Sequence, residues 1–274
     1  MKRIVLVCAC MLSLSSLSAQ QSYKDIVDRA MNCALKDSLP EAEALFRKAL
    51  KMDPTSARNA LLFSNLGTVQ KRMGKMDEAI ESYTMALNIT PYATAILLNR
   101  AALYLDKNLP EKAYVDYCNV IDLLPENEEA RLFRAYIYMQ RRQYKEARID
   151  YNVILGKDFK HKTARIGIVM LDEKEGHYTA ARDGLNLLIE DYPADVSLLK
   201  MRANLEMEQH HPEVALLDVE EASRLDGKDA ELYLMKGNIL LELKKKKEAL
   251  TAYEKAIELG IPRSELMEKI RQCK

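Results

Sequence analysis

The sequence predicts an all-α protein assembled from repeated helical hairpins, and three observations carry this prediction. Alanine, leucine, glutamate and lysine are abundant, while 274 residues include only 9 glycines and 8 prolines, a composition that favours helix. Apolar residues recur at helical spacing, so that Ala79, Tyr83 and Ala86 share one face. The same pattern then returns every 34 residues along most of the chain.

The first nineteen residues are set apart from the fold as a predicted secretory signal. Lys2 and Arg3 form a basic start, residues 4–14 are apolar, and residues 16–19 are mostly small. The apolar run is too short, and turns polar too soon, to predict a membrane span. We expect cleavage before Gln20 and an exported protein, located in the periplasm of a Gram-negative cell or elsewhere at the envelope.

The cysteines bear on anchoring and on disulfides. The stretch VCAC, which ends at Cys10, resembles a bacterial lipobox, but the apolar run before it is too short to favour lipid attachment there. Beyond the signal the cysteines are Cys33, Cys118 and Cys273, odd in number and widely spaced. An exported domain held by disulfides would carry more cysteines in even number. We expect three thiols that pack in the core or lie at the surface.

Seven units of 34 residues follow one another, with a three-residue insertion after the first. Position 8 of a unit is small in six of the seven, position 24 is aromatic or aliphatic, and position 27 is alanine or aliphatic. Position 20 is alanine in every unit: Ala42, Ala79, Ala113, Ala147, Ala181, Ala215 and Ala249. Chance does not produce such a column in register with the others.

Each unit is expected to fold as a helical hairpin, with helix A over about positions 2–14 and helix B over about positions 18–30. The small residue at position 8 faces the alanine at position 20, so the two backbones approach closely. The side chain at position 24 fills the space beside them. Proline at position 32 in four units ends helix B, because proline cannot continue a helix.

This pattern resembles the tetratricopeptide repeat over about Tyr23–Arg263. The resemblance implies a right-handed superhelical solenoid in which helix A lines a concave surface and helix B lies outside. We expect a signal at 1–19 and a single solenoid domain at 20–274. Its repeats are 23–56, 60–93, 94–127, 128–161, 162–195, 196–229 and 230–263, followed by a capping helix at 264–274.

A few residues depart from the pattern. In the fifth unit Val169 stands where the others are small, and Gly167 and Gly184 lie inside predicted helices, where each costs about 1 kcal/mol relative to alanine. Gly156 predicts an early end to helix B of the fourth unit and a softer joint after it. Ser264 is expected to cap the final helix.

Charged residues suggest two alternatives to a plain scaffold. Three units combine an arginine at position 7 with an aspartate at position 23: Arg100 with Asp116, Arg134 with Asp150, and Arg202 with Asp218. We expect ion pairs within each hairpin, and a row of arginines for an anionic ligand is the alternative. His177 and His211 share position 16, but zinc would also need Asp172, Glu173 or Glu175, so polar turn residues are the simpler interpretation.

The sequence predicts neither an enzyme nor a cofactor or metal site. It contains no nucleotide-binding glycine loop, no G-x-S-x-G and no H-E-x-x-H, and its carboxylates are spread over helix surfaces. The 41 basic and 41 acidic residues balance, so nothing predicts binding to nucleic acid or to an anionic membrane.

The predicted partner site is the concave surface. The family resemblance implies that positions 2, 5, 9, 12 and 13 of helix A face it, and in the third to fifth units apolar residues hold several of these positions. They are Leu98, Leu105, Leu132, Tyr136, Met139, Ile166 and Met170. An exposed apolar strip indicates a site for a peptide or helix, to which methionines adapt. The alternative is that part of this strip packs against neighbouring helices.

These observations predict a non-enzymatic adaptor of the cell envelope that binds a protein or peptide in its concave groove, without nucleic acid and without a stable membrane span. The alternative is a structural spacer or assembly subunit that acts through its outer face or its ends. A solute-binding or metal-binding protein is a third, more distant alternative. The sequence predicts neither the partner nor the oligomeric state.

Overall fold

The computed structural model describes residues 22–274, so the predicted signal at 1–19 lies outside the described residues. Within residues 22–274 the regular structure consists of α-helices without strands, which confirms the all-α repeat prediction. The chain forms two compact units, which divide between Leu123 and Leu124.

The first unit contains three helical hairpins. Its helices are α1 (Tyr23–Leu35), α2 (Leu39–Met52), α3 (Asn59–Arg72), α4 (Met76–Ile89), α5 (Thr94–Asp106) and α6 (Pro110–Leu123). Odd-numbered helices are helix A of a hairpin and even-numbered helices are helix B. Each hairpin packs against the next within the unit.

The second unit contains four more hairpins and a final helix. Its helices are α7 (Glu128–Gln140), α8 (Tyr144–Lys157), α9 (Lys162–Lys174), α10 (Tyr178–Asp191), α11 (Val196–Glu208), α12 (Pro212–Leu225), α13 (Ala230–Glu242), α14 (Lys246–Glu258) and α15 (Arg263–Gln272). From α5 to α14 the helices begin one residue earlier than predicted, at positions 1 and 17 of each repeat.

The alanine column forms the contact between the two helices of each hairpin. All seven alanines at position 20 are completely buried. Where position 8 is glycine, the aromatic ring at position 24 lies directly over it: an added Cβ on Gly67 would lie 2.9 Å from the ring of Tyr83, and one on Gly237 would lie 2.5 Å from that of Tyr253. Position 8 is therefore small because the ring occupies the space of a side chain.

The turn between helices A and B has one backbone conformation in all seven hairpins. The residue at position 15 has a positive φ, between 56° and 80°, although only two of the seven are glycine. They are Asp37, Gly74, Asn108, Arg142, Gly176, His210 and Lys244. This left-handed residue ends helix A and reverses the chain within a few residues.

Two sequence predictions about helix ends are wrong. Helix α8 continues through Gly156 to Lys157, because a glycine in a packed helix does not by itself end it. Helix α15 begins at Arg263 after Pro262, and no side chain caps it, so Ser264 does not act as the predicted cap. The charged helix α15 nevertheless buries Leu266 against the last hairpin.

In the fifth hairpin, glycines make room for the larger side chains that depart from the repeat pattern. A Cβ on Gly184 would lie 2.7 Å from Cγ2 of Val169, so the glycine makes room for the larger residue at position 8. Gly167 makes room in the same way for the ring of Tyr151.

The cysteines at 33, 118 and 273 are thiols. Among residues 22–274, no helix is both long enough and apolar enough to cross a membrane.

Candidate functional site

The first unit has an open groove between the A helices of its first two hairpins. The groove has a volume of about 270 Å³. Met31 and Leu35 line it from α1, and Thr68 and Arg72 line it from α3. Leu35 is 83% exposed, and Met31 is 38% exposed. These side chains hold positions 9 and 13, which the family pattern assigns to the concave surface.

Arg72 forms one end of this groove and is held in place there. Its guanidinium donates to the backbone oxygen of Ala34 at 2.8 Å and to the carboxylate of Asp37 at 2.8 Å. Because Ala34 lies in the last turn of α1, the positive charge also interacts favourably with the helix dipole. The groove thus combines apolar side chains with a positioned cation.

Sequence reasoning missed this groove because it placed the apolar strip only in the third to fifth repeats. The signal was present, since Met31 and Leu35 hold positions 9 and 13 of the first repeat, two of the positions expected to face the concave surface. Of the predicted residues in the first unit, Leu98 and Leu105 lie in α5 and are only half-buried. Their binding to a partner stays a prediction.

In the second unit the predicted strip divides into an exposed part and a packed part. Tyr136 in α7 is 51% exposed and Met170 in α9 is 42% exposed, and both hold position 9. Leu132 and Met139 instead pack against the buried core of the fourth hairpin, and Ile166 packs against that of the fifth. Packing therefore accounts for part of the strip, and partner binding by any of these residues stays a prediction.

The predicted arginine–aspartate pairs are present within their hairpins. Arg100 donates two hydrogen bonds to the carboxylate of Asp116, at 2.8 and 2.9 Å. Arg202 likewise donates two to the carboxylate of Asp218, at 2.6 and 2.9 Å. The aspartates are almost completely buried. Bidentate bonds of this kind hold the guanidinium in a fixed geometry, which favours the structural interpretation over an anion-binding row.

The third pair is more deeply buried and has a second arginine. Asp150 is fully buried, and Arg134 donates to both of its oxygens at 2.8 Å. Arg131 also donates to Asp150 at 2.6 Å and to the backbone oxygen of Pro125 at 2.6 Å. These bonds join both helices of the fourth hairpin to the segment that precedes them.

A second set of polar contacts joins successive hairpins. In the first unit Glu43 of α2 accepts bonds from Lys75 at 2.7 Å, Arg47 at 2.8 Å and Gln70 at 3.2 Å. Burial disfavours the ionised form of Glu43, but these three donors outweigh burial and lower its pKa to about 2. Glu43 is therefore a charged link between the first and second hairpins.

In the second unit the same positions make a similar contact, but position 21 carries an arginine in place of the glutamate. Arg182 of α10 donates to Glu206 of α11 at 2.5 Å, and His211 lies 2.9 Å from the same carboxylate. Arg182 holds position 21 of its helix B, as Glu43 does. Glu206 and His211 hold positions 11 and 16 of the next hairpin, as Gln70 and Lys75 do in the first unit. The sequence analysis missed this motif because position 21 is Glu43 in one hairpin and Arg182 in another, so no single residue type recurs at that position.

The residues considered as alternative metal ligands lie at a contact of the same kind, between the fourth and fifth hairpins. The ligand atoms of Asp172, Glu175 and His177 lie within 4.8 Å of one another. Arg148 donates to Asp172 at 2.7 Å and also bonds Glu175. Because the guanidinium of Arg148 already bonds both carboxylates, the group is better explained as an interhelical ion-pair cluster.

The described chain is thus a series of helical hairpins, each with a fully buried alanine at position 20, which defines a helical repeat protein. Models of the tetratricopeptide repeat match residues 62–112 and 200–263. The chain also resembles the crystal structure of a tetratricopeptide repeat protein from Parabacteroides merdae, with 32% identity, a TM-score of 0.71, and coverage of 92% of this chain and 99% of that one. The chain belongs to the tetratricopeptide repeat family.

More distant relatives share parts of the chain. DnaJ homolog subfamily C member 7 from Homo sapiens is 35% identical over 94 residues, which are 34% of this chain but only 19% of that protein. The structure of YrrB, described as a tetratricopeptide repeat protein with an unusual peptide-binding site, has 17% identity and a TM-score of 0.56 and covers 74% of this chain and 97% of YrrB. At that identity the likeness concerns the fold alone.

Proposed function

We propose that this protein is a non-enzymatic adaptor that binds a segment of a partner protein along the exposed faces of its A helices. The observation that carries this proposal is the repeated exposure of large apolar side chains at position 9. Tyr136 and Met170 expose about half of their surface in successive hairpins, while the residues at position 8 beside them are buried. Exposed apolar side chains at the same position of consecutive repeats suit an extended or helical peptide.

The groove of the first unit supports the same proposal. Met31 and Leu35 offer an apolar surface beside the fixed guanidinium of Arg72. Such a surface suits a peptide with an apolar side chain and a nearby acceptor. That YrrB is described as having a peptide-binding site is consistent with this use of the fold.

A second candidate function is a spacer or assembly subunit that acts through its B helices. Position 22 of helix B also exposes large apolar side chains: Val115 is 56% exposed, Ile149 is 61% exposed and Leu217 is 66% exposed. A partner bound there would be insensitive to changes on the A helices.

The experiment compares two double variants with the parent protein for capture of envelope proteins by crosslinking. Tyr136→Glu with Met170→Glu alters the A helices, and Ile149→Glu with Leu217→Glu alters the B helices at similar exposure. Both pairs should keep the helical circular dichroism of the parent. Loss of a partner only in the first variant supports the adaptor, and loss only in the second supports the spacer. Leu132 and Met139 are less suitable, since they are partly buried and pack against the core.

Export is part of the proposal and rests on the sequence of residues 1–19. A fusion of residues 1–30 to a reporter that is active only after export should be active, and Leu6→Arg should abolish that activity by interrupting the apolar region. Mass spectrometry of the exported chain should find Gln20 at its start. A lipid-modified Cys10, removed by Cys10→Ser, would instead show the lipoprotein alternative.

A further inference from the structure

In two of the three hairpins with an arginine–aspartate pair, the arginine at position 7 makes a further contact with the preceding hairpin. Besides Asp116, Arg100 donates to Thr84 at 3.0 Å, and besides Asp218, Arg202 donates to Asn186 at 2.8 Å. Thr84 and Asn186 both hold position 25 of the preceding helix B. In these two hairpins the arginine at position 7 therefore has two partners: a carboxylate at position 23 of its own hairpin and a polar group at position 25 of the previous one.

The last hairpin keeps the cation and lacks the carboxylate. Lys236 of α13 holds position 7 and forms an ion pair with Glu220, at position 25 of α12, at 3.2 Å. Position 23 is Ala252, which is 5% exposed. A pocket of about 410 Å³ opens beside these residues, lined by Tyr233, Lys236, Leu240, Glu248, Thr251, Ala252 and Lys255. The pocket lies where the homologous hairpins place their aspartate side chain.

Within residues 22–274, the other hairpins that lack an aspartate at position 23 do not combine a cation at position 7 with an open pocket. In α3–α4, Ser82 at position 23 donates to Gln70 at 2.6 Å. In α1–α2, Arg29 pairs with Glu41 of its own hairpin at 3.2 Å. In α9–α10, the homologous pocket of about 140 Å³ has Ile168 at position 7. The cation that lines it, Arg165, comes from position 4 and is paired with Asp191. The pocket of α13–α14 differs because it keeps the cation and an open volume together.

We propose that the pocket between α13 and α14 binds a carboxylate from a peptide, which takes the place that aspartate holds in the homologous hairpins. Lys236 supplies the cation at position 7. Lys255, which also pairs with Glu258 at 2.9 Å, supplies a second cation on the α14 side. Tyr233, Leu240 and Ala252 provide an apolar surface for an aliphatic side chain next to the carboxylate. Glu248 also lines the pocket, and its charge opposes an anionic ligand.

This site is separate from the surface of the proposed adaptor function. At about 100° per residue, positions 4, 7 and 11 of helix A lie on the opposite side from positions 2, 5, 9 and 12. Tyr233, Lys236 and Leu240 hold positions 4, 7 and 11. The pocket is therefore a second site, and it does not depend on whether the A helices bind a partner at position 9.

The test is a titration of the full chain, methyl-labelled at alanine and threonine, with three probes followed by NMR. The probes are acetyl-Leu-Asp-Leu-amide, its neutral asparagine counterpart, and acetyl-Leu-Leu with a free carboxyl end. We expect saturable shifts at Ala252 and Thr251 with an acidic probe, and binding weaker by roughly tenfold for the neutral one, because the bond to a charged donor is lost. Binding of the aspartate probe would identify a side-chain carboxylate as the ligand, and binding of acetyl-Leu-Leu would identify a terminal carboxylate.

Three variants separate binding from structure. Lys236→Met should abolish the shifts, and Glu248→Gln should strengthen binding. Ala252→Asp, combined with Lys236→Arg, rebuilds the pair of the homologous hairpins, so it should block the probes without lowering the melting temperature. Equal binding of acidic and neutral probes, unchanged binding in Lys236→Met and in the rebuilt pair, or no saturable shift with either acidic probe would each overturn the proposal.

Discussion

Gly167 of α9 lies so close to the ring of Tyr151 in α8 that an added Cβ would come within 2.3 Å of the ring atom Cζ. The two residues belong to successive hairpins, so this contact sets the distance between the fourth and fifth repeats. From the sequence, Gly167 is a weak point in a helix. In the fold it is a requirement of packing.

Gly167→Ala is expected to destabilise the protein by about 1–3 kcal/mol, because the new methyl group overlaps the ring of Tyr151. The matched control is Gly156→Ala in α8, where a Cβ would meet nothing within 4 Å. This control should stabilise the helix by about 0.4–1 kcal/mol, since alanine restricts the unfolded chain. Urea unfolding of both variants measures the difference, and two stabilising substitutions would contradict the packing argument.

Asp150→Asn is expected to cost about 3 kcal/mol of unfolding free energy, because it leaves two guanidinium groups in a buried site without their carboxylate. Glu41→Gln removes the carboxylate of the Arg29 pair, whose side chains are each 54% exposed. That control should cost only about 0–1 kcal/mol. Thermal and urea unfolding provide the measurement, and similar costs at the two sites would show that burial adds nothing to the Asp150 pair.

His210→Gly is expected to stabilise the protein by about 0.5–1 kcal/mol. His210 has a φ of 59°, a conformation that is strained for a residue with a Cβ and unstrained for glycine. The adjacent Gln209 has a φ of −89°, so Gln209→Gly should destabilise by a similar amount. Opposite signs at neighbouring positions are the test, and a loss of stability in both variants would show that His210 contributes a contact that outweighs its backbone strain.

The contribution of Glu43 should depend on pH in a defined direction. Its pKa is about 2 in the folded protein against 4.5 ordinarily, so the folded state favours the ionised form. The resulting stability is fully present above pH 4.5 and is lost as the pH falls toward 2. Glu43→Gln should therefore be less stable than the parent at neutral pH, and the gap should close over that range.

Urea unfolding at several pH values measures this gap. Glu78 bonds Arg47 and Gln70, which are also two of the donors to Glu43. A parallel series with Glu78→Gln separates the two carboxylates. A gap between parent and Glu43→Gln that stays constant down to the most acidic condition would contradict the role assigned to Glu43.

The sequence predicted well wherever the same residue recurs for the same physical reason. The alanine at position 20 repeats because only a small side chain lets two helices approach, and all seven alanines are buried. The pairs Arg100–Asp116 and Arg202–Asp218 were predicted because both partners recur together. The candidate groove of the first unit was missed because the apolar strip was predicted only in the third to fifth repeats, although Met31 and Leu35 hold positions 9 and 13 of the first repeat.

By itself the sequence determined the period, the hairpin and the tetratricopeptide class, since a column of identical residues reports a contact that every repeat must make. Tertiary structure decided what differs between repeats. The left-handed residue at position 15 is Arg142 in one turn and Gly176 in another, because the turn fixes the backbone and leaves the side chain free to vary. The exchange of volume between Val169 and Gly184 likewise follows from two side chains meeting in space, which no single position in the sequence records.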